Sequence, residues 1–358
     1  LDGTRGVVIS KADPEMIASY RSRQERAEQA FQKARQDSGR PAQTRDGHQV
    51  EVVANIGNLS DVEPAQEFGA EGVGLLRTEF VYLDSPSLPD EEQQTQIYRE
   101  ILDAFEDQPV ILRTLDIGGD KELPYLDLPQ EANPFLGLRA IRLSLTRIPL
   151  FKTQLRAMLR ASVYGDLQIM FPMISGVEEL DNVLEVLEEV KQELRKKSIA
   201  FKEELPIGIM IEVPSAALTA DLLAKKVDFF SIGTNDLIQY TIAVDRGNEK
   251  IAYLYEPFHP GVLRLLKIVI ESAHNASIPV GMCGEMAGYP LAAVLLLGLG
   301  LDIFSMSAFT IPEVKKIIRS ISMTEAEELT GIVMEMKSAP EIDKFVRKWM
   351  NERFDLIQ

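Results

Sequence analysis

The stretch Phe229-Phe230-Ser231-Ile232-Gly233-Thr234-Asn235-Asp236 shows most clearly the pattern that decides the fold. An apolar run suited to a buried strand passes directly into polar residues. Seven other short apolar or β-branched runs occur along the chain, at Val50–Ile56, Gly72–Phe80, Val110–Ile117, Leu167–Ile174, Ile207–Val213, Val280–Cys283 and Ile303–Ala308. Segments of helical period separate them, such as Val177–Lys197 and Pro260–Asn275. An open doubly wound sheet has the same alternation, but eight strands over about 250 residues predict a closed (β/α)8 TIM barrel.

The segments on either side of the predicted barrel are helical. Asp13 followed by Pro14 is a favourable helix start, and the polar sequence up to about Arg40 is typical of a connector between domains. The chain begins without an initiator Met, so we expect a fragment in which residues 1–45 are the end of an upstream domain and a helical linker. Residues 46–358 are predicted to form the barrel with C-terminal helices, the last of them in the stretch Thr324 to Arg353.

The composition narrows the range of partners and locations. A formal net charge of -17 over 358 residues would repel nucleic acid and anionic membranes, so we expect neither as a partner. The most apolar stretch, Leu291 to Leu301, is short and broken by two glycines, which indicates a buried barrel helix rather than a membrane span. The single cysteine, Cys283, excludes an internal disulfide and favours a reducing cytoplasm.

Polar and charged side chains collect at the C-terminal ends of the predicted strands, where TIM barrels carry their active sites. These strand ends and the loops after them contain Arg77, Glu79, Arg113, Asp116, Asp120, Lys121, Glu212, Asn235, Asp236, Arg246, Cys283 and Glu285. Each residue alone has an ordinary interpretation: a lone arginine is more often solvated or salt-bridged, a strand-end carboxylate caps a helix, and a lone cysteine is a small buried apolar residue. Their shared location favours a functional site.

The residue types at these strand ends suit an anionic, phosphorylated substrate and a metal. Arg77, Arg113 and Arg246 can form bidentate contacts to phosphate or carboxylate oxygens. Glu212 and Asp236, on adjacent strands, offer two carboxylate ligands and leave room for water and substrate oxygens, an arrangement that suits Mg²⁺ and accepts Mn²⁺. The thiol at the end of the seventh predicted strand is a candidate acid or nucleophile among these charges.

Four stretches carry a resemblance to a known family. They are Gly74-Leu75-Leu76-Arg77-Thr78-Glu79-Phe80, Arg113-Thr114-Leu115-Asp116-Ile117-Gly118-Gly119-Asp120-Lys121, Ser231-Ile232-Gly233-Thr234-Asn235-Asp236-Leu237 and Cys283-Gly284-Glu285-Met286-Ala287-Gly288. Through them the chain resembles, over essentially its whole length, the phosphoenolpyruvate-binding domain of enzyme I of the bacterial sugar phosphotransferase system. Related stretches occur in pyruvate phosphate dikinase and phosphoenolpyruvate synthase, so the matching domain of either is an alternative; the short helical linker favours enzyme I.

The resemblance implies a role for each strand-end group. It implies that six side chains bind phosphoenolpyruvate, three of them arginines that hold the phosphoryl group: Arg77, Arg113 and Arg246, with Lys121, Asn235 and Arg139 beside them. It implies that Glu212 and Asp236 coordinate Mg²⁺, which bridges to the substrate. It implies that Cys283 is the proton donor to the enolate of pyruvate.

The resemblance also implies partners that the chain lacks. In enzyme I a histidine on a separate domain accepts the phosphoryl group and passes it to a phosphocarrier protein. None of His48, His259 and His274 has the Gly-rich setting of that acceptor, so we expect phosphoenolpyruvate binding without complete transfer. Homodimerisation through this domain is implied as well. Tyr289 departs from the family pattern, which has a small polar or acidic residue there.

A candidate of another class is a non-catalytic sensor that binds phosphoenolpyruvate or a 2-oxo acid to regulate a partner. The presence of Cys283, Glu212 and Asp236 argues against it, because a sensor can dispense with the thiol. A Cys283→Ala variant separates the two, since a sensor would keep both binding and function.

Overall fold

A closed parallel barrel forms the centre of the molecule. The computed structural model describes residues 7–118, 126 and 131–354. Within these residues, nine strands form one sheet in sequence order, and the second also pairs with the ninth, which closes the ring. They are β1 (Ala42–Gln43), β2 (Gln49–Ile56), β3 (Val73–Arg77), β4 (Pro109–Arg113), β5 (Asp166–Phe171), β6 (Ile207–Ile211), β7 (Phe229–Ile232), β8 (Val280–Met282) and β9 (Ile303–Met306). β1 is antiparallel to β2, whereas β2 to β9 are all parallel, so the predicted (β/α)8 barrel is confirmed.

Helices cover the outside of the barrel. The first nine are α1 (Pro14–Gln36), α2 (Val62–Glu67), α3 (Glu79–Leu83), α4 (Glu91–Phe105), α5 (Ala140–Thr146), α6 (Ile148–Ala161), α7 (Val177–Lys196), α8 (Pro214–Leu218) and α9 (Ala220–Leu223). The others are α10 (Thr234–Ile242), α11 (Pro260–Asn275), α12 (Pro290–Gly298), α13 (Ile311–Ser320), α14 (Met323–Met334) and α15 (Ala339–Asn351). Within the described ranges, no helix has the length and apolar character needed to cross a bilayer.

The strands bury side chains on both faces. Their outward residues join the helices in one large hydrophobic core. A smaller and separate cluster consists of one residue from each of five neighbouring strands and the residue after a sixth: Leu75, Ile111, Met170, Met210, Phe229 and Cys283. Because successive strand side chains point to opposite faces, we assign this cluster to the barrel interior. The only cysteine thus lies at the top of an apolar barrel lumen, at the C-terminal ends of the strands.

α1 begins at the residues that the sequence predicted, and its C-terminal end is bound to the barrel. The Asp13 side chain accepts a hydrogen bond from the Met16 amide at 2.7 Å. At the other end Arg35 pairs with Glu67 at 2.9 Å. The buried Lys315 then donates to the backbone oxygen of Ser38 at 3.0 Å. The helix is therefore anchored where it enters the barrel.

The C-terminal helical stretch differs from the prediction in one respect. Instead of a single stretch, the structure has two helices, α14 and α15, separated by a short break before Ala339. Pro340 lies in the first turn of α15, where a proline needs no amide partner and favours a new helix start. α14 packs against α12 and buries Leu329 and Val333.

Candidate functional site

A cavity of about 590 Å³ opens at the C-terminal ends of the barrel strands. Eight of the nine site residues predicted from the sequence line it: Arg77, Arg113, Arg139, Glu212, Asn235, Asp236, Arg246 and Cys283. The ninth, Lys121, lies outside the described residues, as does Asp120. The barrel topology brings these groups together because parallel strands all end at the same rim.

Two buried carboxylates face each other on adjacent strand ends. Glu212 follows β6 and is 2% exposed, and its Oε1 accepts a hydrogen bond from the Met173 amide at 2.6 Å. Asp236 lies in the first turn of α10, and its Oδ2 accepts from Arg139 Nη2 at 3.1 Å. Burial, and then the carboxylates of Asp236 and Asp116, raise the pKa of Glu212 to about 8. Glu212 is therefore held in a buried place where its charged form is disfavoured unless a cation lies beside it.

This carboxylate pair fits a divalent cation. Asp236 Oδ1 is buried and has no hydrogen-bond partner among the described residues. In the same part of the chain, no group of three or more His, Cys, Asp or Glu side chains could hold a metal. Two carboxylate oxygens leave most coordination positions to water and other oxygen donors, an arrangement that is common for Mg²⁺.

Two arginines of the site are buried and already paired. Arg113 Nη1 lies 2.9 Å from Asp116 Oδ2, and Arg113 Nη2 contacts Glu79. Arg139 Nη2 lies 3.0 Å from Asp116 Oδ1, and Arg139 Nη1 donates to Tyr240 Oη at 3.2 Å. Burial alone would lower the pKa of both arginines, but the surrounding carboxylates outweigh it and raise the pKa of each. Both guanidinium groups remain charged and fixed in position.

Asp116 is the residue that joins these two arginines, and sequence reasoning assigned it no role. Its Oδ2 contacts both guanidinium groups, Arg113 Nη1 at 2.9 Å and Arg139 Nη2 at 3.2 Å, and its Oδ1 contacts Arg139 Nη2 at 3.0 Å. It is 4% exposed and follows the end of β4, within one of the four family stretches. Its position three residues after Arg113 could have predicted the ion pair between these two residues. Nothing in the sequence indicates that Arg139 lies on the other side of Asp116.

The other two arginines are exposed at the mouth of the cavity. Arg77 ends β3 and Arg246 lies in the loop after α10. Neither forms an ion pair with a carboxylate in the part of the chain that the structure describes. The Arg246 amide donates to Gln239 Oε1 at 3.0 Å, which fixes the backbone and leaves the side chain at the rim.

Asn235 spans two loops of the rim. Its Oδ1 accepts from the Glu285 amide at 2.9 Å, and its Nδ2 donates to Glu285 Oε1 at 3.2 Å. Its backbone oxygen accepts from Tyr255 Oη at 3.2 Å. The side chain predicted to assist substrate binding therefore also links the first turn of α10 to the segment after β8.

Cys283 follows β8 and is 4% exposed. Its amide donates to the Ile232 oxygen at 3.0 Å, which continues the pairing of β8 with β7. Burial raises the pKa of the thiol, and the Ser231 side chain and the Arg113 guanidinium offset this only in part. The thiol is therefore protonated at neutral pH, as a proton donor must be.

Tyr289 and His259 both form contacts that stabilise the fold near the rim of the barrel. Tyr289, which departs from the family pattern, stacks on Phe258 with ring centroids 5.9 Å apart. Its Oη accepts from Arg347 Nη2 at 3.0 Å, so it ties α15 to the loop after β8. His259 caps α11 by accepting a hydrogen bond from the Gly261 amide at 3.1 Å.

The fold and the cavity together define a TIM-barrel protein whose pocket combines arginines, paired carboxylates and one thiol. Residues 31–323 match the family described as "PEP-utilising enzyme, PEP-binding domain", and the chain belongs to this family.

Three relatives carry the name phosphoenolpyruvate-protein phosphotransferase. The Priestia megaterium protein is 50% identical over 349 residues, which cover 97% of this chain and 61% of the relative. The Haemophilus influenzae protein is 52% identical over 312 residues, which cover 87% of this chain and 54% of the relative. The Staphylococcus carnosus protein is 48% identical over 352 residues, covering 98% and 61% respectively. The chain thus spans less than two thirds of the length of these relatives.

Proposed function

We propose that this chain is the phosphoenolpyruvate-binding domain of a phosphoenolpyruvate-protein phosphotransferase. The whole protein would move the phosphoryl group of phosphoenolpyruvate to a histidine on another domain and release pyruvate. The observation that supports this most strongly is one cavity lined by four arginines, by the paired carboxylates of Glu212 and Asp236, and by a protonated thiol. A phosphorylated enol that becomes a 2-oxo acid requires these three kinds of group.

The exposed and the buried arginines would bind the substrate in different ways. Arg77 and Arg246 are exposed at the rim, so they would contact the phosphoryl oxygens as the substrate enters. Asp116 holds Arg113 and Arg139 in place. Both would place their positive charge on the buried side of the cavity, facing the substrate. Negative charge spreads over the equatorial oxygens during phosphoryl transfer, and cations that are already oriented stabilise it without reorganisation.

Glu212 and Asp236 would hold a Mg²⁺ ion. When bound, such an ion supplies positive charge next to the substrate oxygens. Arg139 orients Asp236, and the Met173 amide orients Glu212. The two carboxylates would therefore keep their positions whether or not the cation is present.

Cys283 would protonate the enolate that remains after the phosphoryl group has left. The thiol lies at the base of the same cavity and keeps its proton because burial raises its pKa. A general acid at that position delivers the proton to the methylene carbon. In the reverse direction the thiolate would remove a proton from the methyl group of pyruvate.

The partners belong to the same proposal. Residues 1–45 would be the end of an upstream domain and a linker, and residues 46–358 the barrel domain. The acceptor histidine would lie on a further domain, and a phosphocarrier protein would receive the phosphoryl group from it. Homodimerisation and a cytoplasmic location remain predictions.

The alternative assignments have less support. Pyruvate phosphate dikinase and phosphoenolpyruvate synthase would use a similar barrel, but the relatives at about 50% identity are named as protein phosphotransferases. A non-catalytic sensor has no need of a buried, protonated thiol next to two carboxylates.

Calorimetric titration of phosphoenolpyruvate into the chain tests the proposal. We expect binding with Mg²⁺ present, loss of binding after chelation with EDTA, and unchanged binding in Cys283→Ala. Arg77→Ala should weaken binding, whereas Arg264→Ala, at an exposed position on α11 away from the cavity, should not. Equal binding with and without metal, or equal binding by the two arginine variants, would contradict the assignment.

A further inference from the structure

Asn55 lies next to the catalytic rim without lining the main cavity. It is near the end of β2, and its Nδ2 donates to the backbone oxygen of Cys283 at 2.9 Å. Its Oδ1 accepts a hydrogen bond from Ser305 Oγ at 2.6 Å. Ser305 is 2% exposed and belongs to β9, which separates β2 from β8 in the sheet. One carboxamide therefore connects the ends of three successive strands of the ring.

The strand next to β2 in the ring, β3, is irregular beside this connection. The pairing of β2 with β3 shifts register between Ala54 and Asn55. The extra residue is Gly74 on β3, because Ala54 and Asn55 are consecutive whereas their partners Val73 and Leu75 are not. β2 itself pairs regularly with β9 from Glu51 to Ala54, so the ordinary alternation of the strand places Asn55 on the same face as Val53. From there its side chain reaches Ser305 and the backbone of Cys283.

The two residues that follow Cys283 are held in place by contacts with the start of α10. Asn235 binds the amide and the side chain of Glu285, two residues after the cysteine. Gly284 lies between Cys283 and Glu285. A Cβ atom at this position would overlap Thr234 Oγ1, so the backbone can pack against α10 only because the residue is glycine. Asn55 adds a further contact to this segment, because its Nδ2 binds the backbone oxygen of Cys283 itself.

We propose that Asn55 is a positioning residue for the proton transfer by Cys283. This inference rests on the proposed function, in which the Cys283 thiol protonates the enolate of pyruvate. In that step the S–H bond breaks and its electron pair stays on sulfur. The C2–C3 double-bond pair forms the new C–H bond, and the enolate oxygen becomes the carbonyl oxygen. Asn55 touches neither sulfur nor substrate; by fixing the Cys283 carbonyl it fixes the direction of the Cα–Cβ bond and the place of the sulfur.

The reverse half of this step gives an assay that needs no phosphoryl acceptor. The full chain is incubated with pyruvate and Mg²⁺ in D2O, and proton NMR measures the loss of the methyl protons. Asn55→Asp keeps the size and the acceptor for Ser305, but it replaces the donor to Cys283 with an oxygen. We expect the exchange rate at saturating pyruvate to fall by roughly tenfold to a hundredfold. The pyruvate concentration that gives half the maximal rate should change by less than about twofold, because no substrate contact is lost.

A second readout follows the thiol itself. Cys283 is the only cysteine in the chain, so iodoacetamide reports on this one sulfur. Its alkylation rate should change in Asn55→Asp and stay unchanged in Asn182→Asp, a matched substitution on the exposed face of α7. If Asn55→Asp does not fold, Ser305→Ala carries the same test with a smaller expected loss of about threefold, because it removes only the hydroxyl that orients Asn55.

The outcomes separate this inference from the proposed function. Exchange that depends on Cys283 but is equal in Asn55→Asp and the unaltered chain overturns the role of Asn55 alone. A chain that binds phosphoenolpyruvate but shows no Cys283-dependent exchange overturns the role of the thiol and this inference with it, while phosphate binding stands. A parallel loss of exchange and of pyruvate affinity in Asn55→Asp also overturns the inference, because it shows general damage to the site.

Discussion

The four arginines of the cavity form two contrasting pairs. Arg113 and Arg139 are buried, and the carboxylate of Asp116 lies between them. Arg77 and Arg246 are exposed at the rim and pair with no carboxylate in the described part of the chain. The buried pair belongs to the architecture of the site as much as to its chemistry, whereas the rim pair keeps its hydrogen-bond donors available for a ligand. The same residue type therefore serves two purposes, and burial decides between them.

The sharpest test of this contrast is Arg113→Ala. It removes the guanidinium group that contacts the buried Glu79 and one of the two that contact Asp116, so we expect the free energy of unfolding to fall by about 3–5 kcal/mol. Urea denaturation followed by circular dichroism measures the change. Arg99→Ala, which removes an exposed pair with Asp103, is the control and should cost less than about 1 kcal/mol. Similar losses in the two variants would remove the distinction between buried and exposed arginines.

Asp116→Asn tests whether one carboxylate holds both buried arginines. The amide keeps the shape but loses the charge that both guanidinium groups contact, so we expect a loss of about 1–3 kcal/mol in unfolding free energy. Combining it with Arg139→Ala should cost less than the sum of the two single losses, because the variants remove one shared interaction. Strict additivity in urea denaturation would show that Asp116 and Arg139 act independently.

Arg77→Ala tests the other half of the comparison. Because the side chain is exposed, its removal should change the unfolding free energy by less than about 0.5 kcal/mol. Phosphoenolpyruvate binding with Mg²⁺ should nevertheless weaken by about tenfold, or ~1.4 kcal/mol, since a charged contact to the phosphoryl group is lost. Calorimetric titration measures the affinity. A variant that is destabilised and still binds normally would assign Arg77 to the structural pair instead.

Metal addition gives the smallest expected effect. A cation that binds only the folded chain stabilises it by RT ln(1 + [L]/Kd), so Mg²⁺ at five times its Kd should add about 1 kcal/mol. Thermal unfolding with and without Mg²⁺ measures this gain. Glu212→Gln should lose the gain, while Glu185→Gln on α7 should retain it. A Mg²⁺-dependent shift that persists in Glu212→Gln would place the ion elsewhere.

Most of the site could be predicted from the sequence, but the contacts within it could not. The strand-end pattern identified seven of the predicted site residues that line one cavity, and the family resemblance supplied the eighth, Arg139. The sequence did not show that Arg139 contacts Asp236, or that Asn55 reaches Cys283, because these pairs are separated by 97 and 228 residues. The break between α14 and α15 was missed as well, since helical period alone does not mark a short interruption.

What the sequence determined by itself is the barrel and the set of groups at its rim. Alternating strands and helices allow few closed arrangements, and parallel strands must all end on one side. What only the tertiary structure decided is the state of each group: which arginine is buried, which carboxylate keeps a free oxygen and which amide holds the cysteine. Those properties depend on distances between residues far apart in the chain and on their exposure to water, and both exist only after the ring has closed.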